Sequence, residues 1–199
     1  MNNSSSGVEP ILVHETAPSY NLVQRKFRGA KVALHRMVEM CLDDSPIQEM
    51  TRRHGLKAVF IEGHMDTAQY EWFEKLFAAE SIRKVTQTGF NAGHSAFAFA
   101  ELGADAVTSF DINDHSYVQP AHDYLVSRFP NTEFTLVLGD SIETVPAHQE
   151  EQKYEIAFVD GGHSFAVAQS DLAAMQRLVK PGSYVVMDDY GDTMPWQVG

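Results

Sequence analysis

Cysteine is nearly absent from this 199-residue chain, because Cys41 is the only one. No disulfide can form within the chain, which is typical of proteins in a reducing compartment. No window approaches the roughly 18 consecutive apolar residues of a membrane-spanning helix. The first ten residues, MNNSSSGVEP, lack the basic start and the apolar stretch of a secretory signal. We therefore expect a cytoplasmic protein.

Positive charge is also scarce: 15 Lys and Arg residues stand against 27 Asp and Glu residues, for a formal net charge of −12. Such a balance disfavours broad contact with nucleic-acid phosphates or anionic membranes. The expected partner is a small neutral or cationic molecule. With 44% hydrophobic residues, the chain can bury the core of one domain.

Three regions follow one another along the chain. Residues 1–30 form a polar tail and lead-in, and residues 31–80 carry helical patterns at 31–40, after Ser45 and at 65–80. In residues 81–199 strands alternate with helices, which predicts a doubly wound, mostly parallel, Rossmann-like α/β sheet with a helical N-terminal extension. The predicted strands are 82–88, 106–111, 133–138, 154–160 and 183–189. The predicted helices between them are 93–102, 115–128, 141–149 and 165–179.

The carboxyl ends of these strands carry glycine and acidic residues, where ligands bind in such sheets. Gly89 and Gly93 in TGFNAGHS either let a ligand approach the backbone or form an ordinary tight turn. Asp111 in SFDIND can accept hydrogen bonds from both hydroxyls of a ribose. The alternative, that it caps the next helix, is weakened because Asn113 and Asp114 can serve as caps. Asp140 in LVLGDS can either contact an adenine amino group or cap the segment that follows.

A second group of acids follows the fourth and fifth strands, in FVDGGHS and VMDDYGD. Asp160, Asp188 and Asp189 offer hard oxygen ligands suited to Mg²⁺. The alternative is that these carboxylates are simply solvated. His163 is the candidate general base, since its ordinary pKa is near neutrality, or else a loop histidine bonded to the backbone. The aromatic run at Tyr70–Phe77 is expected to be core.

The ordered motifs GFNAGHSA, SFDI, LGDS, FVDGGHSF and VVMDDYG resemble the class I S-adenosylmethionine-dependent methyltransferases. The resemblance covers about residues 61–192 and is greatest to the macrocin-type, metal-dependent O-methyltransferases, with catechol O-methyltransferase more distant. It implies S-adenosylmethionine as cofactor and Mg²⁺ as metal. The cofactor positions it implies or borders are Met65, Gln87, Gly89, Phe90, Gly93, Ser95, Asp111, Asp140 and Ser141, with Glu62 and Gly63 beside Met65. The metal positions it implies are Asp160, Asp188 and Asp189. The expected catalytic residues are Asp160 and the candidate base His163.

The expected function is Mg²⁺-assisted O-methylation of a small hydroxylated molecule. Gln87 departs from the family pattern, which has an acid there, so the methionine ammonium would find no charge. The chain also ends soon after the fifth strand, where the family adds a helix and two strands. The open sheet edge would favour a homo-oligomer. A non-catalytic cofactor-binding homologue is therefore the alternative. A nucleotide-dependent oxidoreductase is disfavoured, because the glycine spacing is not G-x-G-x-x-G.

Overall fold

The computed structural model describes residue 65 and residues 67–188. Predictions for residues 1–64, including the helices at 31–40 and after Ser45, and for Asp189, lie outside the described residues. The elements are α1 Thr67–Ala79, β1 Lys84–Thr88, α2 His94–Glu101, β2 Ala106–Asp111, α3 Val118–Arg128, β3 Glu133–Leu138, α4 Ser141–Ala147, β4 Tyr154–Val159, α5 Phe165–Leu178 and β5 Val179–Met187.

The strands form one parallel sheet in the order β3-β2-β1-β4-β5. The chain winds from β1 outward to β3 and then returns to place β4 on the other side of β1. The order in which strands are added therefore reverses between β1 and β4, and a doubly wound sheet opens a crevice at such a switch point. The predicted α/β fold is confirmed.

Two apolar layers cover the sheet. On one face α1, α2 and α3 pack over a cluster that includes Val85, Val107 and Ile156. On the other face α4 and α5 contribute Val145 and Met175 to a smaller cluster. Because both faces are covered, the central strands are almost continuously buried, as parallel strands usually are.

The predicted aromatic core of α1 is confirmed at Phe73, which is 1% exposed. Its ring meets Trp72, Phe99 and Phe158 edge to face, with centroids 4.9–5.3 Å apart. Each such pair adds about 0.5–1.5 kcal/mol to the burial of apolar area. This cluster packs α1 against α2 and β4.

Two predicted boundaries are wrong by more than two residues, each for a local reason. β5 begins at Val179, four residues earlier than expected, because Val179 pairs with Tyr154 before Lys180–Ser183 bulge out and pairing resumes at Tyr184. Pro181 lacks the N–H that a regular ladder would require.

The helix expected at 115–128 begins only at Val118, with Tyr117 and not Asn113 or Asp114 at its N-cap. Asn113 adopts φ +64° and donates its N–H to Asp111 Oδ1 instead. Its backbone is thus held by the preceding strand and does not lead directly into the helix.

Candidate active site at the carboxyl edge of the sheet

The loop after β1 is packed directly against the loop after β4. Gly89 has φ +80°, and its N–H bonds to the Phe110 carbonyl at 2.8 Å. A Cβ at Gly89 would lie only 1.9 Å from the Asp160 carbonyl oxygen. Only glycine fits here, and the close approach that it permits is to protein backbone.

The rest of the glycine loop is equally tight. Gly93 is the N-cap of α2 with φ +81°, and an added Cβ would meet the Phe90 ring at 2.9 Å. The Phe90 ring and the Ser95 hydroxymethyl group are buried, with the two residues at 2% and 5% exposure. At Phe90 the loop therefore presents backbone to the rim, while the ring belongs to the core.

Asp111 holds the glycine loop in place. Its Oδ2 accepts the N–H groups of Phe90 at 2.9 Å and Asn91 at 2.8 Å, and its Oδ1 accepts the N–H of Asn113 at 2.7 Å. A carboxylate has about four acceptor sites, so three are used within the protein. Asp111 is thus a clamp between the exits of β1 and β2, a role that the sequence reading missed.

Gln87 lies beneath this loop and is fully buried. Its Nε2 donates to Ser109 Oγ at 3.1 Å. Its Oε1 is without a hydrogen-bond partner among the residues that the structure describes. A buried carbonyl left unpaired costs about 1–3 kcal/mol, so an N–H donor that reached this oxygen would be favoured.

Asp140 is the N-cap of α4, and its Oδ1 accepts the Ile142 N–H at 3.0 Å. The capping alternative is therefore confirmed for Asp140, whose side chain is exposed. The preceding Gly139 donates its N–H to the Asp111 carbonyl at 2.8 Å. Asp140 and Ser141 thus lie beside the exit of β2, where the adenine was expected.

Asp160 and Asp188 follow the paired residues Val159 and Met187 at the ends of β4 and β5. The Asp160 N–H bonds to the Thr88 carbonyl, and the Asp188 N–H bonds to the Val159 carbonyl. The two predicted ligands therefore leave neighbouring strands side by side. Asp188 Oδ1 also accepts a hydrogen bond from Gln69 Nε2 on α1.

The metal prediction is incomplete within the described residues. In residue 65 and residues 67–188 no three His, Cys, Asp or Glu side chains are grouped so as to hold a metal ion. The third predicted ligand, Asp189, is outside them. His163 is exposed in the loop between β4 and α5, and Met65 is half-buried against the first core cluster.

Two further features, one at the rim and one buried beneath it, were not predicted. Apolar side chains at the exits of β2 and β3 are exposed, with Ile112 at 58%, Leu138 at 43% and Ile142 at 41%. Asp171 is 1% exposed on α5. The sequence pattern could have indicated this burial. Asp171, Met175 and Leu178 occupy positions i, i+4 and i+7, which lie on one face of a helix, and the other two residues are apolar.

Residues 86–190 match the sequence model of a family described as "Methyltransferase domain". This is more than half of the chain, so the protein belongs to that methyltransferase family. The expectation of a class I methyltransferase is thereby confirmed for family and fold. The sequence matches none of the curated proteins compared with it.

Similar solved structures have the same fold. An S-adenosylhomocysteine-bound methyltransferase from Podospora anserina is 15% identical with a TM-score of 0.57, over 87% of this chain and 72% of that chain. TomG, an O-methyltransferase from Streptomyces achromogenes involved in tomaymycin synthesis and solved with S-adenosylmethionine, is 14% identical with a TM-score of 0.56, over 73% and 65%. An O-methyltransferase from Bacillus cereus in complex with S-adenosylhomocysteine is 18% identical with a TM-score of 0.53, over 78% and 71%.

None of the helices within residues 67–188 is long and apolar enough to cross a bilayer.

Proposed function

We propose that the protein is an S-adenosylmethionine-dependent O-methyltransferase whose acceptor is a small hydroxylated molecule and whose cofactor complex includes Mg²⁺. The observation that carries this proposal is the convergence of the Gly89 loop, Asp111, Asp160 and Asp188 at one edge of the sheet, around the β1–β4 switch point. The similar proteins with S-adenosylmethionine or S-adenosylhomocysteine support the choice of cofactor.

The residues at the edge suit the parts of this cofactor. The unpartnered Gln87 Oε1 is an acceptor for the methionine ammonium, although without a compensating charge. Asp111 retains one acceptor site of its four for a ribose hydroxyl. The exposed side chains of Ile112, Leu138 and Ile142 provide an apolar wall for adenine.

Asp160 and Asp188 would hold the metal, with Asp189 as the third carboxylate. Carboxylates and water are the ligands that Mg²⁺ prefers. When bound, the ion would lower the pKa of an acceptor hydroxyl and orient it. The hydrogen bond from Gln69 fixes the direction of the Asp188 carboxylate, as second-layer partners of metal ligands do.

The reaction requires few protein groups. The acceptor oxygen attacks the sulfonium methyl carbon, the new C–O bond forms as the C–S bond breaks, and the electron pair stays on sulfur to give S-adenosylhomocysteine. The chain's task is to hold the oxygen in line with that bond. The acceptor proton passes to a general base, for which the exposed His163 beside the Asp160 loop is the candidate.

A second function is favoured by one observation. Gln87 supplies an amide where an acid would attract the methionine ammonium, and this suits a protein that binds cofactor weakly without turnover. If the protein is such a weak binder, Gln87→Glu should strengthen S-adenosylmethionine binding. If it is an active enzyme that uses the amide, the same substitution should weaken binding, because it buries a charge.

Calorimetry with S-adenosylmethionine, S-adenosylhomocysteine and NAD, each with and without Mg²⁺, tests the proposal. We expect both sulfur-containing ligands to bind and NAD not to bind. Asp188→Ala should abolish methyl transfer to a panel of hydroxylated acceptors and leave S-adenosylhomocysteine binding within about threefold, with Asp123→Ala on the exposed face of α3 as the control. Binding of NAD alone would refute the methyltransferase proposal, and equal loss of binding and turnover in Asp188→Ala would refute the metal role.

A further inference from the structure

Asp171 is a buried carboxylate with no function in the site described so far. It lies on α5 with 1% of its surface exposed. Neither Oδ1 nor Oδ2 has a hydrogen-bond partner of good geometry within the described part of the chain. Such a group requires an explanation, because buried polar side chains are almost always paired.

The surroundings of Asp171 connect three loops of the rim. A Cβ at Gly161 would lie 3.1 Å from Asp171 Oδ2 and 3.1 Å from Thr88 Oγ1, so these two polar atoms share one small space beside Gly161. Thr88 Oγ1 is itself buried and without a partner among the described residues. The hydroxyl of Ser141 is close enough to act on the same carboxyl.

Thr88 and Gly161 are next in sequence to predicted site residues, and Ser141 is itself a predicted cofactor position. Thr88 precedes Gly89, Gly161 follows Asp160, and Ser141 follows Asp140. The carboxyl of Asp171 therefore lies beneath the exit of β1, the exit of β4 and the start of α4 at once. No residue already assigned to the site joins these three segments.

The surroundings also favour the neutral acid. Burial raises the pKa of Asp171, the hydroxyls of Ser141 and Thr88 partly oppose that shift, and the negative charge of Asp140 adds to it. An uncompensated buried carboxylate takes up a proton more readily than it remains charged. A protonated carboxyl can donate one hydrogen bond and accept others.

We infer that Asp171 is a positioning residue that holds Thr88, Gly161 and Ser141 together and thereby sets the cofactor-binding arrangement of the three loops. This inference rests on the proposed cofactor. Asp171 does not touch the substrate, because its side chain is sealed from the rim. A purely space-filling residue would not be polar, since an apolar side chain fills such a site without the desolvation cost.

The test compares Asp171→Asn, which keeps the shape and is neutral, with Asp171→Leu, which fills the space without hydrogen bonds. Met175→Leu, on the same buried face one turn later, is the control. We expect S-adenosylhomocysteine affinity within about twofold of wild type for Asp171→Asn and Met175→Leu, and at least tenfold weaker for Asp171→Leu. The melting temperature of Asp171→Leu should not fall below that of Asp171→Asn, which separates positioning from general stability.

Hydrogen exchange of the protein without ligand gives a readout that does not depend on the cofactor. Amides in 88–91, 139–142 and 160–163 should exchange faster in Asp171→Leu than in Met175→Leu.

If wild-type protein binds no cofactor, the proposed function fails, and the exchange pattern still decides the role of Asp171. If Asp171→Leu does not fold, Thr88→Val removes the opposite partner and should show the same faster exchange. Unchanged affinity and exchange in Asp171→Leu would overturn the inference, and so would an equal loss in Asp171→Asn, since a polar side chain of the same shape would then fail to hold the loops.

Discussion

The contact between Gly89 and the Asp160 carbonyl gives the sharpest test of the structure. In Gly89→Ala the new Cβ would lie 1.9 Å from that oxygen, well under the 3.0 Å below which something must shift. The side chain would also sit at φ +80°. Relieving the clash requires the loop after β4 to move away from β1 by more than an ångström.

The magnitude follows from two separate effects. A non-glycine residue in the left-handed region costs about 1–2 kcal/mol, and overpacking a tight site costs about 1–3 kcal/mol more. Gly103 provides the matched control, because it has φ +100° but a Cβ there would meet nothing within 4 Å. Gly103→Ala should therefore show the backbone effect alone.

The assay is equilibrium urea denaturation of both variants. We expect Gly103→Ala to lower the free energy of unfolding by about 1–2 kcal/mol, and Gly89→Ala by about 2–5 kcal/mol, the sum of the two effects. For a domain of this size each kcal/mol lowers the melting temperature by about 2–4 °C. Equal destabilisation by the two substitutions would refute the packing of the β1 loop against the β4 loop.

Three other predictions concern separate parts of the fold. A hydrogen bond from Lys153, with help from Tyr154, lowers the pKa of Glu150 from its ordinary 4.5 to about 2; the stability that Glu150 adds is therefore complete above pH 4.5 and lost as the pH falls toward 2. The difference in urea midpoint between wild type and Glu150→Gln should shrink over that range, and a constant difference would contradict the pairing. Asp111→Asn, which turns one acceptor into a donor facing backbone N–H groups, should lower the free energy of unfolding by about 1–3 kcal/mol; no change would argue against the clamp. Phe73→Ala should cost about 3–5 kcal/mol in the same assay, and a loss below 1 kcal/mol would mean that α1 is not packed as described.

Much of the fold could be predicted because local patterns and the sheet agree. The bounds of β2 and β3 match the predicted ranges, since each run of β-branched and apolar residues is closed by a polar or glycine residue. The bulge in β5 could not be predicted, because it depends on the pairing of Tyr154 with Val179 and Ile156 with Tyr184 across the sheet. The register between two strands that are distant in sequence cannot be predicted from either segment alone.

The site was predictable as a location and less so as a set of roles. Strand ends in a parallel sheet must meet at one edge, and Asp111, Asp160 and Asp188 all lie along that edge, at the ends of β2, β4 and β5. The partners of Asp111 depend on how the glycine loop folds back over β2, which the spacing of residues does not reveal. Asp171 was hidden because a single acid in an amphipathic helix resembles any surface carboxylate until its neighbours are known.

The three backbone bonds of Asp111 have a thermodynamic consequence for recognition. Since the carboxylate already immobilises the Phe90–Asn91 backbone and the residues after β2, a nucleoside entering here would not have to freeze that part of the chain. Because this backbone is already ordered, ligand binding would cost less conformational entropy. Affinity at this edge should then be limited by how well the ligand complements a fixed surface, and its heat-capacity change should reflect contact area alone, without the extra signature of a segment that folds on binding.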